Sequence, residues 1–390
     1  MNELVVQKYG GTSVGSIERI KKVAERVARI RNTGVDIIVV VSAMAGETDK
    51  LFAMAKQINP NGKEREIDLL LSSGERISSA LLSMALDNID CPAISMTGRQ
   101  IGLLTDHSHT KARIKEIDPV RARKALKDKN VIVVAGFQGI NEHGDVTTLG
   151  RGGSDTSAVA LAVALNAKRC EIYTDVDGVY TADPNIVPDA RKMDRVSYDE
   201  MLEMSSLGAK VLQFRCVEFC KKYRMPLIVK SSLVEDSNGT LICEEDLSME
   251  QPVVSGVMND ENQAKISIKG VPDQPGIASK FFTGLADANL SVDMIIQNVS
   301  DGNHTDISFT VTKVDMNKAT EIVNKLGKLV NAREIISDPN ICKVSIVGAG
   351  MRSHPGVAAK MFSALSDEKI NIMMISTSEI RVSCIIDEKY

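Results

Sequence analysis

Two glycine-rich segments of this 390-residue chain could hold an anion close to the backbone. The first is Lys8-Tyr9-Gly10-Gly11-Thr12-Ser13, which follows one aliphatic run and opens an amphipathic one. Its glycines admit a close approach, and free N–H groups at a helix start point at an anion. Lys8 adds a full positive charge, as a triphosphate requires. This is not a Walker A loop: Gly10 and Gly15 have that spacing, but Ser16-Ile17 stands where Lys-Ser/Thr should be. The second segment is Leu149-Gly150-Arg151-Gly152-Gly153-Ser154-Asp155-Thr156-Ser157, again entering a helical pattern. Arg151 offers a planar fork suited to a carboxylate. Asp155 either caps that helix or holds a lysine or a metal near transferring phosphates.

Further polar residues fall between the apolar runs. Ser73-Gly74-Glu75-Arg76 is expected to open a helix. Glu75 would then either answer the helix dipole or receive a substrate ammonium group. Ser42 and Thr48 follow a buried run, which puts their hydroxyls at a strand's end. His107 and His109, beside Thr105, Asp106 and Lys111, read as exposed loop histidines. Neither a Ser-His-Asp order nor H-E-x-x-H occurs, and no metal ligand set is expected. Cys216 and Cys220, one helical turn apart, read as small buried residues because no His or further Cys lies nearby.

The shortage of placed bases has chemical meaning. Phosphoryl transfer depends on positioning and charge neutralisation. A hydroxyl acceptor would need its proton removed, whereas a carboxylate with pKa ~4 is already ionised. Lysine, arginine and glycine N–H groups therefore suit phosphorylation of a carboxylate.

These segments need elements to position them. Residues 4–7, 37–41, 131–134, 171–174 and 227–229 read as buried strands. Between them, Ile17, Ile20, Val23, Ala24, Val27 and Ile30 mark one helix face, and 69–86 and 157–165 read as further helices. The alternation implies an α/β domain over 1–245, a mostly parallel sheet sandwiched by helices, with ligands at the strands' carboxyl ends.

Composition narrows the partners. The net charge is −4, with no basic block, 4% aromatic residues and no Trp, which argues against nucleic acid. The N-terminus lacks the basic region of a signal peptide, and no apolar run approaches the ~20 residues that span a bilayer. Seven scattered cysteines read as free thiols in a reducing cytoplasm.

Beyond a polar, turn-rich stretch at 235–251, the chain repeats itself. Lys265-Ile266-Ser267-Ile268-Lys269-Gly270 is echoed by Lys343-Val344-Ser345-Ile346-Val347-Gly348. The run from Pro275 to Lys280 is echoed by Pro355 to Lys360, and Ser291-Val292-Asp293-Met294-Ile295 by Asn371-Ile372-Met373-Met374-Ile375. Each copy reads as a βαββαβ module, 263–338 and 339–390, the second reaching Tyr390 before its last expected helix.

Taken together, residues 8–13, 42–48, 73–76, 150–156 and 173–184 resemble the aspartate kinase family of the amino acid kinase superfamily. The repeat resembles its tandem ACT regulatory modules. The resemblance implies ATP-dependent phosphorylation of the L-aspartate side chain, the first step of lysine, threonine and methionine biosynthesis. It implies that Lys8, Tyr9, Gly10 and Gly11 hold the ATP phosphates, with Lys210 reaching them too. Thr174, Asp175 and Tyr180 would line the nucleotide pocket. Glu75 would take the α-ammonium and Arg151 a carboxylate. Ser42, Thr48 and Ser154 would help fix the substrate, and Asp155 would organise the transfer centre. Mg²⁺ would accompany the nucleotide, held mainly by phosphate oxygens and water. Asn185 and Gln213-Phe214 depart from the family pattern. Where Asn185 stands the family often carries an arginine, and Arg191 is a candidate to reach the phosphate in its place.

For the modules, the resemblance implies lysine or threonine as effector. The expected site joins Asp273, Pro275, Gly276, Ile277, Ala278, Gln297 and Asn298 of one unit to Asn371, Ile372, Thr377, Ser378 and Glu379 of the other. It also implies that residues 252–258 complete the second module, that the chain forms a homo-oligomer, and that Met249 lies where some relatives start a separate regulatory chain. The alternatives are another carboxylate kinase, of the acetylglutamate or glutamate type, and a non-catalytic amino-acid sensor.

Overall fold

The computed structural model describes residues 2–209, 211–235, 237–245, 253–299 and 303–390. The chain divides into two compact units, Met1–Ser248 and Met249–Tyr390.

The first unit is built on an eight-stranded sheet. From edge to edge its strands are Arg195–Ser197, Thr240–Cys243, Leu227–Ser231, Arg169–Thr174, Leu4–Tyr9, Asp36–Val41, Val131–Ala135 and Ala93–Met96. All neighbours are parallel except Leu227–Ser231 with Thr240–Cys243. Residues 37–41 are buried at every position, as expected of a strand covered on both faces. Helices Ile17–Arg31 and Glu64–Asp87 pack Ile20, Val23, Val27, Leu82 and Leu86 on Ile37, Val39 and Val133. Each such fully buried aliphatic side chain contributes roughly 1.5–3 kcal/mol. Helix Gly153–Ala164 packs against Leu4–Tyr9, Asp36–Val41 and Arg169–Thr174, and its residues 153–162 are all buried. A smaller sheet, in the order Ile114–Ile117, Leu103–Thr105, Gln138–Ile140, Val146–Thr148, stands beside the main one.

Two expectations about helix starts need correction. Glu75 is not in a first turn: its helix begins at Glu64, so the dipole explanation fails. Gly74 is small because a Cβ there would come within 2.8 Å of Ala43 Cβ, not because a helix starts nearby. Gly10 and Gly11 do not open the first helix either. That helix begins at Ile17, where Ser16 Oγ accepts the Arg19 N–H, and the glycines form the turn before it.

In the second unit the repeat becomes one six-stranded sheet, in the order Ile295–Val299, His304–Thr312, Gly256–Pro272, Glu334–Val347, Arg381–Asp387, Met374–Thr377. The two central strands are longer than the sequence pattern suggests, and each serves both copies. Residues 256–260 of one pair with 343–347 of the other, and 265–269 pair with 334–338. Of the segment expected to complete the second copy, Pro252 lies outside the described residues and the strand starts at Gly256.

Helices Ile277–Asp287 and Met316–Leu329 cover Ile266, Ile268 and Phe309, while helix Val357–Asp367 covers Cys342, Ile346 and Cys384. The helix-free faces meet through Met294, Ile296, Ile341, Met374 and Ile385. Across that seam the fully buried Lys343 pairs with Asp293 of the first copy. At the equivalent place on the other side, Lys265 Nζ meets Met373 Sδ at 3.6 Å.

Candidate active site

The strands deliver the candidate residues to one end of the main sheet. Lys8 sits at the end of Leu4–Tyr9, and its ammonium lies 2.7 Å from Asp155 Oδ1, both side chains nearly buried. Asp155 is not the helix cap. Gly152, at φ 71°, holds that position, so the carboxylate is left to pair with Lys8. Gly152 is also tight against Gln213, since a Cβ would fall 2.4 Å from its Cγ. Gly10 N–H donates to Tyr173 O at 3.2 Å, and Ala45 N–H donates to Gly11 O at 3.2 Å. A Cβ on Gly11 would come 2.8 Å from Ala43 O, so only glycine fits this turn.

Lys8, Ser42, Thr48, Glu75, Arg151 and Ser154 line a single cavity of about 450 Å³. A larger one, about 1110 Å³, lies at the other strand ends beside Asn2, Asp36 and Leu165 and contains none of them. Glu75 is 3% exposed. Its Oε1 accepts the Ala43 N–H at 3.0 Å, and its Oε2 is buried with no partner among the described residues. Burial pushes the Glu75 carboxyl up to about 7, against the Ala43 and Glu75 N–H groups, which pull it down. Arg151 is exposed at the cavity's rim.

Thr174 ends the strand beside Lys8, and its hydroxyl donates to Asp175 Oδ1 at 3.0 Å. Tyr180 lies in the loop that follows, its hydroxyl donating to Asp177 Oδ1 at 2.6 Å. Asn185 is turned into its own loop, both its nitrogens donating to Asp183 Oδ1. Lys210 lies outside the described residues.

Several residues around the cavity are not legible in the sequence. Thr110 and Thr148 line it, and both are held by Asp68, whose side chain is fully buried. Asp68 Oδ1 accepts from the Thr148 hydroxyl at 2.5 Å, and both its oxygens accept the Thr110 N–H at 3.0 Å. His109 Nδ1 stands 2.7 Å from Oδ2, so this histidine is an anchored residue and not the exposed one expected. The signal that could have found them is the seven-residue spacing of Asp68 and Glu75 along one buried helix face.

A second network stiffens the strand ends. Glu171 Oε2 accepts from Gln7 Nε2 and from the Tyr173 hydroxyl, while Tyr9 and Tyr173 stack at 4.6 Å. Burial pushes the Glu171 carboxyl up, but Lys230 and Arg169 outweigh it and hold it below its ordinary range.

Within one chain Thr377 lies far along the strands from Asp273 and Asn298. Asp273 and Pro275 follow the end of Gly256–Pro272, and the turn reaches Gly276 at φ 91°. Asn298 lies two strands over, opposite Asp306. Thr377, however, pairs with Val382, next to the pairing of Val347 with Gly256 at that strand's other end. The strand spans seventeen residues from end to end, ~50 Å of path at ~3.3 Å per residue.

Comparison with known proteins agrees with this geometry. Residues 3–231 match the amino acid kinase family, and residues 266–326 and 344–390 match the ACT domain. An aspartokinase of Pseudomonas aeruginosa is 56% identical over 389 residues, covering 99% of this chain and 94% of that one. The chain belongs to the aspartate kinase family. The crystal structure of Escherichia coli aspartokinase III in complex with aspartate and ADP superposes with a TM-score of 0.84 at 26% identity, covering 99% and 97% of the two chains. Its complex with lysine and aspartate gives 0.75 at 26% identity, covering 100% and 97%. The aspartate kinase fold thus extends over the whole chain. All seven cysteines are free, and no helix among the described residues is long and apolar enough to cross a membrane.

Proposed function

We propose that this chain transfers the γ-phosphoryl group of ATP to the side-chain carboxylate of L-aspartate, under control of its ACT modules. One observation carries the reading: Glu75 places a buried, unpartnered carboxylate oxygen in the cavity that Lys8 and Arg151 also line. In its ionised form a buried acid oxygen without a donor calls for a cation, and the α-ammonium of an amino acid supplies one. Arg151 would take the α-carboxylate. The side-chain carboxylate would then point at Lys8 and the glycine turns.

An oxygen of that carboxylate attacks the γ-phosphorus, the bond from phosphorus to the β,γ-bridging oxygen breaks, and ADP leaves with the electron pair. No proton moves, so no base is required. Lys8 neutralises charge on the passing phosphoryl group, and Asp155 fixes the ammonium in place. Tyr9, Gly10, Gly11, Thr174, Asp175, Tyr180 and Lys210 are the proposed nucleotide contacts. Mg²⁺ fits as an ion carried mainly by phosphate oxygens and water. Its chemistry would be to neutralise the phosphates, and Asp155, the acid paired with Lys8, is the residue that would face it.

Asn298 and Thr377 would share a site only across two chains, which makes a homo-oligomer part of this reading, with lysine or threonine as effector. E. coli aspartokinase III, crystallised with lysine, supports the choice of ligand class. The domain limits of 1–245, 263–338 and 339–390 complete the proposal, and Met249 as an internal start lies outside the described residues.

Hydroxylamine trapping of the acyl phosphate tests the reaction. Aspartate should give a hydroxamate where glutamate and N-acetylglutamate do not, and lysine or threonine should shift its rate by a coupling of ~1–3 kcal/mol. No hydroxamate from aspartate would refute the proposal. Arg151→Ala should raise the aspartate KM about tenfold or more and leave the ATP KM within about twofold. Steady-state kinetics that moved only the ATP KM would remove Arg151 from the substrate side.

A further inference from the structure

We propose that His107, Glu142 and His143 bind one divalent transition-metal ion of the zinc class, which braces the wall of the cavity. Their ligand atoms all lie within 4.8 Å of one another. His107 Nε2 stands 2.9 Å from Glu142 Oε1, and the two imidazole rings stack at 5.0 Å. Two imidazoles and a carboxylate make a three-ligand zinc set that leaves positions for water. Donors each ~2.1 Å from one ion stand ~3.4 Å apart, so His107 and Glu142, now at 2.9 Å, must part slightly and the wider pairs close by up to about 1.4 Å. All three are exposed.

The backbones beneath them are fixed. Buried Asn141 accepts the N–H groups of His143 and Asp145 through Oδ1, and Asp106 Oδ1 accepts those of Ser108 and Arg113. Leu104 pairs with Ile140 in the smaller sheet, which holds the two ligand segments side by side. Magnesium, a hard ion that prefers oxygen, should not compete at imidazole nitrogens.

His107 lies two residues before His109 and three before Thr110, and both of these bond Asp68. An ion joining His107 to the 141–145 turn would hold the segment that presents Thr110 to the cavity. This does not depend on which substrate the cavity takes.

Cobalt(II) titration of the full chain, with magnesium present, tests the site. One equivalent should bring up visible d–d bands without a thiolate charge-transfer band. His143→Ala and His107→Ala should each weaken binding at least tenfold, and Glu142→Gln should weaken it too. The chain has five histidines. Replacing His304 and His354, which lie in the other unit, should change nothing. Amide exchange over residues 106–111 should slow on zinc addition in the unaltered chain and not in His143→Ala. Bands that survive both histidine variants, a thiolate band, or no binding near millimolar metal would overturn the site. Binding without slowed exchange would overturn the bracing.

Discussion

Lys8→Ala is expected to lower kcat by roughly a hundredfold or more, with the aspartate KM changed by less than about threefold. Lys8 stands beside the first glycine turn, and its pairing with Asp155 at 2.7 Å fixes where its charge is placed. Removing it takes away charge that matters most when the phosphoryl group is in transit. It also leaves Asp155, at 7% exposure, as an uncompensated negative group beside that path. Both effects fall on the transition state, so kcat should carry the loss. Circular dichroism would establish that the variant folds. A folded variant with unchanged kcat would remove Lys8 from the transfer step.

Glu75→Gln should lower kcat/KM for aspartate by about a hundredfold at pH 8, the cost of replacing a buried charge partner with a neutral one. The pH dependence is the sharper signature. Burial raises the Glu75 carboxyl to about 7. Only its ionised form suits an ammonium group. In the unaltered chain kcat/KM should therefore rise about tenfold per pH unit below 7 and level off above it. In Glu75→Gln the same range should be flat. Parallel profiles for the two proteins would assign the ionisation elsewhere. For stability the sign is opposite. A carboxyl raised in the folded chain favours folding when protonated. Its contribution is present in full below its ordinary value of 4.5 and is lost as pH rises to about 7.

The apolar strands are legible because a strand covered on both faces must be aliphatic at every position, as residues 37–41 are. Helix beginnings are not, because a glycine reads as punctuation whether it ends an element or packs inside one. Gly74 lies in mid-helix for close packing on Ala43, and Gly152, not Asp155, starts the helix below Lys8. Motifs point to Lys8, Glu75 and Arg151, since their charges stand beside glycines in the sequence. They do not point to Asp68, Thr110 or Thr148, which meet through a helix, a loop and a strand end remote along the chain. The repeat is plain, yet the sharing of two long strands between its copies depends on pairing that no local pattern encodes. The same pairing sets Thr377 far from Asn298, two residues that the family resemblance places in one site.

A crystal structure with L-aspartate and a non-hydrolysable ATP analogue tests the central claim most directly. The α-ammonium should lie within hydrogen-bonding distance of Glu75 Oε2, the α-carboxylate at Arg151, and the side-chain carboxylate between Lys8 and the terminal phosphate. Aspartate bound outside this cavity, or turned so that its α-carboxylate faces the phosphate, would contradict the account.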